Sequence, residues 1–199
     1  MSAFADRPAA IERRLGDPHE FIQILVGIRL RTVTDPESIR HLTWLSDIVA
    51  ALALIQRRLP GEGSVDFAAY LDDVAAFWAR SCADRGIRLE ARGAKVEIPD
   101  GHVLPLAMIL HELIANAVRH GFPDSQGGLI TVLWAPTVDG VSLLVRDSGL
   151  GAGELAPRDG LSLVRGLAEH LGGAMTVETA PGAGAGVRIR LPLDTARTH

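Results

Sequence analysis

Pro60-Gly61-Glu62-Gly63-Ser64 is the stretch that most restricts what this chain can fold into. Proline ends a helix, and two glycines within three residues favour a turn over any regular element. The break divides the chain into an upstream part that reads as helix alone and a downstream part that mixes helices with strands. Upstream, Asp17-Pro18 is a helix start, with Asp as N-cap and Pro at the first helical position. From His19 to about Thr32 apolar residues fall on more than one stripe, so that helix must be buried on more than one side. Thr34-Asp35-Pro36-Glu37 is the turn into a second helix, about Glu37 to Leu59, with Ile39, Leu42, Leu45, Ile48, Val49, Leu52 and Leu59 at helical spacing. Two helices joined so tightly form an antiparallel hairpin. Alone it cannot cover its apolar surface, so pairing with a second copy into a four-helix bundle is expected.

Downstream, Asp66 to Ala83 reads as a helix with Phe67, Leu71, Val74 and Trp78 on one side. Ile87-Arg88-Leu89-Glu90-Ala91 and Lys95-Val96-Glu97-Ile98 alternate as strands do. A helix from about His102 to His120 follows, then strands Leu129–Trp134 and Val141–Arg146 around an Asp139-Gly140 turn. A glycine-rich loop from Asp147, a helix from Gly160 to Leu171, and strands Met175–Glu178 and Val187–Pro192 complete the chain. Helices and strands mix without regular βαβ repetition. The expectation is an α+β chain: a helical hairpin over residues 1–60, then an α/β sandwich over 64–194 on a mixed or antiparallel sheet.

Composition excludes several classes. With 47% hydrophobic and 22% charged residues the chain is globular, and a net charge of −4 without a basic run gives no basis for nucleic-acid binding. The single cysteine, Cys82, excludes an internal disulfide and a zinc–cysteine cluster and fits a reducing compartment. Met1–Ala10 has no apolar core and is not read as a signal peptide. The longest apolar run, Ile48–Ile55, is too short to span a bilayer, so a cytoplasmic protein without membrane attachment is expected.

Three stretches carry candidate chemistry. Within the long helix, Glu112 and Asn116 stand one turn apart, and Arg119 and His120 one turn further, with Leu110, Leu113, Ile114 and Ala117 toward a core. Carboxylate, amide and cation in a row suit a magnesium–nucleotide, offering oxygen ligands to the ion and positive charge to phosphates. Gly121, Pro123 and Asp124 stop the helix. Asp147-Ser148-Gly149-Leu150-Gly151 sits where a strand ends; an Asp there can accept from an exocyclic amine, and the glycines let backbone approach a ligand. Gly160-Leu161-Ser162-Leu163-Val164 places glycine before a helix whose free N–H groups can face phosphate. Zinc hydrolysis fits worse, because position 115 after His111-Glu112 is Ala115, and no Gly-Lys-Ser/Thr loop exists.

In this order the stretches resemble the ATP-binding domain of the histidine-kinase, Hsp90, gyrase and MutL superfamily, above all two-component histidine kinases of the HisKA_2/HWE type. Ser64-Val65-Asp66, Asp84-Arg85-Gly86-Ile87, Val103-Leu104-Pro105-Leu106 before His111-Glu112-Leu113, Gly121-Phe122-Pro123-Asp124 and Gly127-Gly128 match in place. Asp147 to Gly151 is similar to the G1 box, and Gly160 to Val164 with Leu167 to Gly173 to the G2 box. The resemblance implies that Asn116 chelates Mg2+, that Glu112 acts in that shell through water, and that Arg119 and His120 approach the phosphates of ATP. It implies that Asp147 reads the adenine amine while Gly149, Gly151, Gly160 and Leu161 shape the pocket, with a short lid over Ala152–Asp159. It also implies a homodimer through the N-terminal helices and a response-regulator receiver domain as partner. With no sensor domain fitting before His19, input is expected from another protein. The chain departs from the family at Arg158-Asp159 before Gly160, at Ala185 where a hydroxyl residue is common, and around the phosphoacceptor. Aligning on Ile22-Gln23 puts Gly16 where the histidine belongs; aligning on histidine selects His19, followed by Glu20 as a general base. His41 is the other bundle histidine. The functional expectation is an ATP-dependent protein-histidine kinase, with a kinase-derived phosphotransfer or adaptor module as the alternative.

Overall fold

The computed structural model describes residues 18–56, 64–122, 127–152 and 159–193. The Pro60–Gly63 break, Pro123 and Asp124, and most of the expected lid lie outside them. The chain divides into two units, Met1–Arg57 and Arg58–His199.

The first unit is a hairpin of α1 (Pro18–Leu30) and α2 (Pro36–Gln56). Asp35 caps α2, its Oδ2 accepting from the Ser38 N–H at 2.7 Å, and this bond holds the Asp35 carboxyl below its ordinary pKa. Val26, Val49, Ala50, Ala51 and Ile55 are buried, while Phe21, Ile24, Leu25, Ile28 and Leu45 are 41–57% exposed. Taken as a whole helix rather than an uninterrupted apolar run, Pro36–Ile55 is long and apolar enough to cross a membrane by length and composition, as is Asp100–Gly121. The core helix of a soluble protein passes the same test, and Asp100–Gly121 is 67% buried within this fold.

The second unit begins with β1 (Ser64–Asp66), paired antiparallel with β3 (Glu97–Pro99) as Ser64↔Pro99 to Asp66↔Glu97. Three-residue strands are too short to show alternation, so β1 was not expected as a strand and β3 was placed slightly early. Asp66 then caps α3 (Phe67–Ser81), its side chain accepting from the Ala68 N–H at 3.0 Å. As expected, Phe67, Leu71, Val74 and Trp78 are buried.

After β2 (Ile87–Gly93), α4 runs Asp100–Asn116 and widens into a π-turn over Ala117–Gly121; then come β4 (Gly128–Thr137), β5 (Gly140–Asp147), α5 (Asp159–His170), β6 (Ala174–Thr179) and β7 (Ala185–Pro192). The five-stranded sheet has the order β2-β4-β5-β7-β6, parallel between β2 and β4 and antiparallel elsewhere. Ile130, Val132 and Trp134 alternate inward along β4 and meet Val141, Leu143 and Val145 of β5, with Leu106, Ile109, Leu110 and Ile114 of α4 completing the core. Phe67 packs on Trp134 with ring centroids 4.8 Å apart, tying α3 to the same core. The helix α4 is apolar because it is the buried layer of this sandwich, and even His111 and Glu112 are 4% exposed.

Cys82 is buried at the end of α3, and burial pushes its thiol pKa up, with Arg85 opposing in part. Two results are expected. Iodoacetamide at pH 8 will alkylate Cys82 slowly in the folded protein and rapidly in denaturant. The thiol's contribution to stability is whole below its ordinary pKa of about 8.5 and is lost as pH rises above it, because only the unfolded chain then ionises readily. Denaturant midpoints measured from pH 7 to 10 check that sign.

Candidate nucleotide site

A polar seam crosses the otherwise apolar layer between α4 and α5. Glu112 lies on the buried side of α4, and its Oε1 sits 3.5 Å from Nη2 of Arg119, whose side chain is 43% exposed. Arg119 Nε also donates to the Ala115 carbonyl at 3.1 Å. After Asn116 the helix widens into the π-turn over Ala117–Gly121, and such turns recur at functional sites. Glu112 is buried and Asn116, one turn on, half-buried, while Arg119 reaches back along the helix and His120 lies on the exposed side. The expected single face of four polar groups resolves into an inner pair and an outer pair. Asn116 Nδ2 is buried and has no hydrogen-bond partner among the described residues, which a buried amide seldom tolerates.

Gly160, in the first turn of α5, meets this inner pair. A Cβ there would collide with Glu112 Oε1 and lie 3.0 Å from Asn116 Nδ2. Only glycine lets α5 begin so close to the two side chains, and its helix start brings free N–H groups to the seam. Leu161 beside it is half-buried. Arg158 lies outside the described residues, as does the Asp159 side chain.

Asp147 ends β5 and is 6% exposed. Its Oδ1 accepts from the Gly149 N–H at 2.9 Å and the Ala185 N–H at 3.3 Å. Both bonds fall on one oxygen, which fixes the carboxylate and leaves Oδ2 as its remaining acceptor. Gly149 packs on the Gly121 carbonyl, where no Cβ would fit, and the Leu150 N–H donates to that same carbonyl at 3.0 Å. Gly151 takes φ +59 against the Ala180 and Gly184 carbonyls. So the glycine loop after β5 is anchored to the end of α4 on one side and to the β6–β7 turn on the other.

Three further contributors carry no site role in the sequence reading, although Arg85 falls within its Asp84–Ile87 stretch. Thr179 Oγ1 accepts from the Ala152 N–H at 2.9 Å and reaches the Ala152 and Gly184 carbonyls at 3.1 and 3.2 Å. That hydroxyl braces the loop beside Ala185, where the missing hydroxyl residue was noted, and Ala185 contributes its backbone instead. Gly184, at φ +72, abuts Asp147. It lies in Pro181–Gly186, whose glycine content was the available signal. Arg85 donates to the Phe122 carbonyl across 37 residues of sequence.

Residues 101–195 match the family model of histidine kinase-, DNA gyrase B- and HSP90-like ATPases. This region is thus similar to the ATPase domains of that superfamily. It is 25% identical to blue-light-activated histidine kinase 1 of Erythrobacter litoralis over 191 residues, covering 93% of this chain and 52% of that one. Among solved structures, the histidine kinase domain of the E. litoralis EL346 blue-light-activated kinase superposes with a TM-score of 0.68 at 20% identity, covering 86% of this chain and 95% of that one. The ATP-binding domain of PrrB from Mycobacterium tuberculosis gives 0.54 at 28% identity, covering 67% and 98%. The chain spans about half or less of the length of the curated relatives it matches.

The crowding at Gly149 predicts a contrast with Gly166, which faces open space on α5. Gly149→Ala should lower stability by about 1–3 kcal/mol, since backbone must move. Gly166→Ala should be neutral or stabilising by up to about 1 kcal/mol, from helix propensity alone. Urea unfolding of both variants measures the difference.

Proposed function

We propose that the chain is an ATP-dependent protein-histidine kinase of a two-component phosphorelay, acting in the cytoplasm. The observation that carries this reading is the convergence of Gly160 on Glu112 and the unpartnered Asn116 amide. An amide whose nitrogen has no partner among the described residues, beside a buried carboxylate, matches oxygen-loving Mg2+ and a phosphate together. Amide oxygen and nitrogen are assigned by their surroundings, so Asn116 can turn its oxygen to a cation. The residues present therefore fit Mg-ATP, which when bound would supply the transferable phosphoryl group and its counter-charge.

The roles of the chain's own groups follow from charge and position. Asn116 would hold the cation, and Glu112 would orient a water of its shell by accepting a hydrogen bond from that water. Arg119 and His120 would stand at the outer end of the row, where phosphate oxygens need donors. The fixed carboxylate of Asp147 would accept from the adenine amine through Oδ2, and Gly149, Gly151, Gly160 and Leu161 would shape the wall. Catalysis would be mainly positioning and charge neutralisation. In the hairpin His19 is the proposed phosphoacceptor and Glu20 the base that takes the proton from its ring. The phosphoryl group would then pass to an aspartate of a response-regulator receiver domain.

A second copy of the chain is the proposed cover for the hairpin. Phe21, Ile24, Leu25 and Ile28 expose 43–57% of their surface on one short helix, apolar area that costs about 25 cal/mol per Å² to leave in water.

Incubation with γ-labelled ATP and Mg2+ tests the activity. Acid-labile label is expected on the wild type and its loss in both His19→Ala and Asn116→Asp. Nucleotide binding without any label would reject the kinase and leave a phosphotransfer or adaptor module. Light scattering at micromolar concentration tests the assembly separately: a dimer is expected, converted to monomer by Leu25→Glu with Ile28→Glu. A monomeric wild type would remove the four-helix bundle.

A further inference from the structure

We propose that Arg85 is a positioning residue for the nucleotide pocket, holding the segment that leaves α4 against the Asp147–Gly151 loop; this rests on the nucleotide reading above. Arg85 stands in the short turn between α3 and β2, half-buried, and its Nη2 donates to the Phe122 carbonyl at 2.9 Å. The next residue repeats the pattern through backbone: the Gly86 carbonyl accepts from the Gly128 N–H at 3.2 Å. Arg85 and Gly86 thus hold Phe122 and Gly128 at once. Gly86 takes φ +65 and packs so closely on Gly127 that a Cβ at Gly127 would lie 2.6 Å from the Gly86 carbonyl.

What this fixes is the joint between two pocket walls. Consecutive carbonyls leave the π-turn after Arg119 and His120. The first, Gly121 O, accepts from Leu150 N–H of the Asp147 loop at 3.0 Å; the second, Phe122 O, accepts from Arg85. Phe122 itself is 2% exposed and its ring closes on Gly128. A guanidinium bond to a carbonyl is charge-assisted and rigid in direction, so of the two successive peptides that carry the Gly121 and Phe122 carbonyls one is pinned by Leu150 and the next by Arg85. Without Arg85 the Leu150 bond would have to hold the Gly121–Phe122 segment alone, and Asp147 would shift relative to Asn116. Arg85 touches none of the groups assigned to nucleotide and acts through the backbone.

The test compares wild type with Arg85→Met, which keeps an apolar stem and removes the donors, and Arg85→Lys, which keeps the charge without the fork. In nucleotide-free protein, amide exchange at Leu150 and Gly128 should quicken by about tenfold or more in Arg85→Met, while amides of β5 and β7 keep wild-type protection. Affinity for a fluorescent ATP analogue should fall by about tenfold, the low end for a hydrogen bond from a charged donor. Arg85→Lys should fall between the two, and carries the test if Arg85→Met does not fold. Unchanged exchange at Leu150, exchange that quickens uniformly through the sheet, or local opening with unchanged affinity would each overturn the proposal. A wild type that binds no nucleotide brings down the nucleotide reading itself, while the exchange measurement still decides whether Arg85 holds the joint.

Discussion

A contact of backbone on backbone, Gly149 against the carbonyl of Gly121, is the constraint from which the candidate site follows. It brings the loop after β5 to the end of α4 with no side chain between them. The distance is short enough for the Leu150 N–H to reach the same carbonyl. Because the sheet fixes where β5 ends, and the core fixes where α4 ends, this contact sets the separation of Asp147 from Asn116. Any residue other than glycine at position 149 pushes the two walls apart.

The same logic recurs at the other glycines, and it explains why so many fall in one region. Gly160 lets α5 start on Glu112, Gly184 lets the β6–β7 turn close on Asp147, and Gly151 turns the loop with a positive φ. Each conformational freedom costs stability in an unfolded-state comparison, and the fold offsets it with hydrogen bonds from the loop itself. Thr179 takes the Ala152 N–H, Asp147 takes two more, and the Gly182 N–H reaches the Leu150 carbonyl. The loop N–H groups of Gly149, Ala152, Gly182 and Ala185 are taken up within the protein, and the buried Asn116 nitrogen, without a partner among the described residues, stands out against them.

How far the sequence foretold this depends on the range of the interaction. The α3 segment was legible because Phe67, Leu71, Val74 and Trp78 repeat at helical spacing, and β4 with β5 because Ile130, Val132 and Trp134 alternate beside a two-residue turn. Short-range order of that kind is written in periodicity. The β1–β3 ribbon was not, since Ser64 meets Pro99 across 35 positions in strands of three residues. Nor was the parallel pairing of β2 with β4, because register is chosen by tertiary packing. In the site, Glu112, Asn116 and Asp147 were found as residue types. That Glu112 pairs with Arg119, and that Thr179 and Arg85 brace the walls, depends on a π-turn and on contacts spanning 27 and 37 residues. A linear pattern carries no trace of these.

The Glu112–Arg119 pair gives the seam an electrostatic asymmetry that bears on what it can accept. Arg119 is partly solvated, so drawing it toward an anion forfeits little: an exposed ion pair contributes about 0–1 kcal/mol. Glu112 is different, with its side chain 6% exposed. Left without Arg119 it would be a buried carboxylate with no counter-charge, so the cost of separating the two falls on Glu112. On the nucleotide reading, an anion that recruits Arg119 is therefore disfavoured unless a cation reaches Glu112 in the same step. The carboxylate and the Asn116 amide together offer that cation hard oxygen donors. Charge balance at two side chains thus argues for entry of metal and phosphate as one unit, with bare nucleotide held weakly by the same wall.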